Sequence, residues 1–272
     1  MSSTATVTAE DLSGGPRAAG IARHPLLCFS ILTLVLSWLT VIPYVLGVFP
    51  APLLPCGPFL AAIITAGVVG GRKGVRSYFR RLIQWRTSVG WYALALLAPV
   101  VGWALVAYVN VLLGAAPPDS AQLAGWSSIA TATLLFLVNP LTGAYEEPGW
   151  RGYALPLLLR RHSALVGSTV LGVMWTLWHL PMFVAGLLPW WNAAFLFALT
   201  FVFTSIYLRS SGSVPVAFLL HAAVNGAGAF FILLFTGDDR VRMYWLAAVL
   251  CAVIALVAIV VSPDRWRRGP AV

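Results

Sequence analysis

The sequence predicts an all-α polytopic transmembrane helical bundle of about eight spans, with N- and C-termini cytoplasmic. Three observations lead there. Hydrophobic residues make up 60% of the 272 and charged residues only 9%, against about 25% charged in a soluble domain. Apolar runs follow one another along the chain, each about 18–25 residues long, the length that crosses a bilayer. Basic residues fall between these runs in an alternating pattern, as the positive-inside rule requires.

The runs lie near 26–49, 53–71, 89–113, 128–146, 164–188, 192–209, 214–236 and 242–262. Residues 1–24 read as a disordered cytoplasmic tail. No cleavable signal is expected, because the first apolar run is too long for one. Residues 25–263 form a single transmembrane domain, and 264–272 a basic cytoplasmic tail. The connection after the second run holds Arg72, Lys73, Arg76, Arg80, Arg81 and Arg86, and the one after the fourth holds Arg160 and Arg161. Those connections and both termini are therefore placed in the cytoplasm, and an even span count agrees. Over about 72–88, Val75, Tyr78, Phe79, Leu82 and Trp85 recur at helical spacing among basic residues. That pattern predicts an interfacial amphipathic helix on anionic headgroups, with no catalytic role.

The net charge of +9 reads as topology signal and contact with membrane lipids, and no nucleic acid partner is expected. Cys28, Cys56 and Cys251 are far apart and show no metal or redox spacing. Arginine-rich, lysine-poor usage suggests a bacterial plasma membrane.

An ionisable residue within a span is a functional hypothesis by default. Four places qualify: Glu146 and Glu147 with Arg151, then His179, His221 and Asn225. Neighbouring helical residues point about 100° apart, so the two carboxylates face differently. Glu147 and Arg151, at i and i+4 in the favourable order, can pair. Glu146 is then left without a partner in its own segment and suits a general base. Pro148 with Gly149 predicts a kink here, tolerated only inside protein or beside a wet cavity. Glu146 lies about as far before the 162–163 turn as His179 lies after it, so a helical hairpin puts both at one depth. His221 and Asn225 share a helix face, and the alanines between them allow close helix approach. Asn225 could orient the His221 ring or donate to a developing oxyanion. His221 falls roughly 10 Å inside the cytoplasmic end of its run, at 1.5 Å per residue.

In order and spacing, Glu146-Glu147-xxx-Arg151, Trp175-xxx-His179 and His221-xxx-Asn225 resemble the three motifs of the CPBP family. These are the CAAX prenyl proteases and bacteriocin-processing (Abi) membrane enzymes. The likeness covers about 128–230, the expected catalytic core. The family usually has Phe where this chain has Trp175, and Pro148 is a local variation. The resemblance implies an intramembrane endopeptidase, acting near the cytoplasmic face on a peptide or membrane-protein substrate. It casts Glu146 as the base that activates water and His179 as the residue that positions it. His221 and Asn225 would stabilise the oxyanion, with Glu147 and Arg151 in support. HExxH is absent. If a metal takes part, zinc on His179, His221 and Glu146 is the candidate set.

Other readings compete. The same fold could serve as a non-catalytic binding or immunity protein. A proton-coupled transporter also uses buried acids, but no inverted repeat is visible. Haem on His179 and His221 would leave the acid pair unexplained.

Overall fold

The computed structural model describes residues 23–267. The regular elements found there are helical. The main ones are α1 (Pro25–Trp38), α2 (Gly57–Leu82), α3 (Val89–Leu112) and α4 (Ser128–Val138). A composite segment over 147–159 is α5, followed by α6 (Ala164–Trp178) and α7 (Asn192–Arg209). The chain ends in α8 (Val214–Phe231), α9 (Gly237–Val261) and the short α10 (Pro263–Arg267).

Among the described residues, six helical stretches are long and apolar enough to cross a membrane: Pro25–Val45, Val89–Leu112, Ser120–Leu159, Asn192–Arg209, Val214–Leu234 and Gly237–Val261. Two of the expected runs do not reach that standard. Run 53–71 lies in α2, where Gly71 takes φ 57° and breaks the helix before the basic cluster. A β-carbon on Gly74 would meet the carbonyl of Ala66, so the second limb of α2 turns sharply onto the first. Run 164–188 stops as a helix at Trp178, where the chain turns through His179 ahead of Pro181. The fourth run also breaks early. Asn139 is extended (φ −99°, ψ 111°) because Pro140 disfavours helix in the residue before it.

α8 is the central helix for function. It packs on α3 and α4, while α7 packs on α6 and α9 and α1 on α2. Small residues make this close approach possible: a β-carbon on Gly226 would run into the backbone of Thr133 on α4. Trp103 of α3 donates its indole N–H to Val224 O at 3.0 Å. At the C-terminal end, Trp266 is buried, stacks on Phe201 and donates to Ala258 O. The start of the expected basic tail is thus a docked turn, and 268–272 lie outside the described residues, as does 1–22 of the N-terminal tail.

Candidate active site

The first motif sits on an irregular helix. A 3-10 turn over Gly143–Glu146 leads into the α-turn Glu147–Gly149, a π-helical stretch Trp150–Ala154 and the α-turn Leu155–Leu159. The kink expected at Pro148 is displaced. Pro148 falls in the first turn of its helix, where its missing N–H costs nothing. The break lies upstream at 139–142, and the stretch downstream forms a π turn, a feature frequent at functional sites.

The second limb of α2 braces this segment. Tyr78 donates to Pro148 O at 3.1 Å and Arg81 Nη1 to Gly152 O at 2.9 Å. Gly149 abuts Pro58 so closely that a β-carbon would lie 2.5 Å from its backbone. The stretch read from sequence as interfacial therefore also caps carbonyls of the motif, which hydropathy patterning does not reveal.

Glu147 and Arg151 form the expected pair, Arg151 Nη1 to Glu147 Oε1 at 2.8 Å, both fully buried. His221 Nδ1 donates to the same oxygen at 2.8 Å. A carboxylate only accepts, so Nδ1 carries a proton and Nε2 is the nitrogen left to act. It is Glu147, not Asn225, that orients the His221 ring. The Arg151 guanidinium lies between two rings, 4.8 Å from the Trp175 centroid and 4.4 Å from that of Phe203.

Glu146 faces the other way, as the 100° offset requires. Its Oε2 accepts the indole N–H of Trp175 at 2.5 Å. Trp175 thus holds both halves of the first motif, its face on Arg151 and its N–H on Glu146. The hairpin does bring α6 to Glu146, but at Trp175, one turn before His179. No hydrogen bond joins Glu146 and His179 directly. His179 is buried, and its Nδ1 donates to Trp175 O at 2.9 Å, which leaves Nε2 as an acceptor in the neutral ring.

Three of the expected site residues converge on one point, the place where a side chain on Gly143 would begin. A β-carbon there would lie 2.7 Å from Asn225 Nδ2, 3.0 Å from His221 Nε2 and 3.1 Å from Glu146 Oε1. A carboxylate oxygen, an amide donor and an imidazole nitrogen thus surround a spot of about one atom. Sequence reading missed Gly143, since one more glycine in an apolar run carries no signal. Trp175 did carry one, as an aromatic with an N–H where phenylalanine is usual. Among the described residues, no three or more His, Cys, Asp or Glu are grouped to hold a metal ion.

Residues 125–227 match the family model of Type II CAAX prenyl endopeptidases, Rce1-like. That stretch holds all three motifs. Over that stretch the chain is similar to the Rce1-like CAAX endopeptidases. A curated relative, CAAX prenyl protease 2 of Methanococcus maripaludis, is 31% identical over 118 residues, 38% of this chain and 43% of the relative. The chain thus matches less than half the length of that protein.

Trp175→Phe keeps a ring over Arg151 and removes the donor to Glu146. A hydrogen bond to a charged group is worth about 1.5–3 kcal/mol, so kcat should fall roughly ten- to a hundredfold with KM and melting temperature little changed. Unchanged kcat would show that the indole N–H does not position Glu146.

Proposed function

We propose that the protein is an intramembrane endopeptidase that hydrolyses a peptide bond of a peptide or membrane-protein substrate near the cytoplasmic face. Glu146, held at Oε2 by Trp175, uses Oε1 to take a proton from water. The resulting hydroxide attacks the peptide carbonyl carbon. The tetrahedral oxyanion accepts a hydrogen bond from Asn225 Nδ2 and a second from Nε2 of a doubly protonated His221. Glu147, behind Nδ1, is the carboxylate that faces such an imidazolium, and Arg151 holds Glu147 in place. His179 offers Nε2 as an acceptor that steers the water. Collapse of the intermediate expels the amine, which takes its proton from Glu146. The likeness to the CAAX endopeptidases makes Glu146, Glu147, Arg151, His179, His221 and Asn225 the residues to test. The observation that supports the chemistry best is the convergence of Glu146 Oε1, His221 Nε2 and Asn225 Nδ2 at Gly143.

In this reading both termini are cytoplasmic and the site opens to that side. The α5–α6 hairpin, with Arg160 and Arg161, projects beyond the bilayer. The test is cleavage of a quenched fluorescent membrane-peptide library by protein reconstituted in liposomes, with and without a metal chelator. The reading expects cleavage that survives the chelator. Cleavage abolished by chelator would move the catalytic role to a metal. A folded protein that cleaves nothing in a broad library would overturn hydrolysis in favour of a binding role.

A further inference from the structure

Away from the catalytic point, a shallow cleft opens between α1, α2 and α5. Arg81, Arg160, Tyr78, Tyr153 and Ser77 line it. Neither arginine forms an ion pair among the described residues. The two are close enough that Arg81, after burial, helps hold the Arg160 guanidinium below its usual value. Two like charges facing one cleft without a counter-ion favour an anion there, and paired arginines suit a phosphate.

A second observation says what the anion is attached to. An apolar groove lies between α1 and α2, walled by Cys28, Ile31, Leu32, Thr65 and Val68. Its walls and those of the first cleft lie on neighbouring turns of both helices. Pro25, Cys28 and Leu32 are spaced i, i+3, i+7 on α1, and Thr65 and Val69 are spaced i, i+4 on α2. Each set therefore occupies one helix face. A basic end followed by an apolar trough has the polarity of one phospholipid molecule.

We propose that this cleft and groove form a specific site for an anionic glycerophospholipid, its phosphate on Arg81 and Arg160 and one acyl chain between α1 and α2. Arg81 also holds Gly152 O at 2.9 Å, so the bound headgroup would sit directly behind the π-helical turn of the catalytic motif. The site differs from general attraction of basic loops to the membrane, because it predicts that some basic residues matter and others do not.

Native mass spectrometry of protein from nanodiscs containing phosphatidylcholine and phosphatidylglycerol is the test. The wild type should retain phosphatidylglycerol over phosphatidylcholine by about tenfold, the scale of an arginine–headgroup contact. Arg160→Gln, at an exposed position that does not threaten folding, should lose that preference. Arg72→Gln, outside the cleft, should keep it. Val68→Trp should fill the groove and lower lipid retention with the arginines intact. Equal retention in wild type and Arg160→Gln would overturn the proposal, as would equal loss in Arg72→Gln, the mark of diffuse surface charge. Displacement of the lipid by millimolar inorganic phosphate, with Val68→Trp silent, would also overturn it, because the site would then bind a free anion.

Discussion

Arg151→Met should destabilise the protein by about 3–5 kcal/mol, the usual cost of stranding a buried charge. Arg151 is fully buried and, among the described residues, is the only guanidinium bonded to Glu147, which is itself fully buried. Removing it leaves Glu147 with His221 alone, and leaves the rings of Trp175 and Phe203 without the cation between them. The double variant Arg151→Met/Glu147→Leu should recover much of that stability, since an apolar pair of similar volume often replaces a buried ion pair at little cost. It should not recover cleavage, because His221 Nδ1 then has no acceptor to fix its ring. Thermal melts in one detergent, read beside cleavage rates, separate the two effects. An Arg151→Met protein that melts with the wild type would show that the pair does not hold the motif.

Gly143→Ala should give the opposite signature, a folded protein with little activity. The added methyl would first meet the ends of the Asn225, His221 and Glu146 side chains, which can swing aside without moving a helix. Melting should therefore barely change. The same swing displaces the base and both donors from the reacting atom, and misplacement by about 1 Å costs on the order of a hundredfold. A kcat/KM equal to wild type would mean that the reaction takes place elsewhere.

The helical class and the order of the apolar runs could be read from the sequence because the bilayer imposes length and composition on each span. Local backbone chemistry decided what the runs concealed. Asn139–Pro140 ended α4 eight residues short of the expected limit, Gly71 folded α2 on itself, and Pro148 sat at a helix start instead of kinking one. The chemical residues were legible for the reason that makes them costly: charge and imidazole in an apolar run stand out. What remained hidden was how they are held. The Glu147–His221 bond joins residues 74 positions apart, and the support from Tyr78 and Arg81 comes from a helix that reads as interfacial. Gly143 acts through the side chain it lacks, and periodicity cannot register that.

The most direct measurement is kcat/KM for wild type and Glu146→Gln on one cleavable membrane peptide, in the same liposomes. Glutamine keeps the size of the side chain and an oxygen for Trp175 but cannot accept the proton of water at neutral pH. Loss of the general base predicts a fall of roughly 10²–10⁴ with an unchanged melt. A Glu146→Gln protein that cleaves within a factor of a few of wild type would contradict the assignment of Glu146 as the base, and with it the mechanism built on its position.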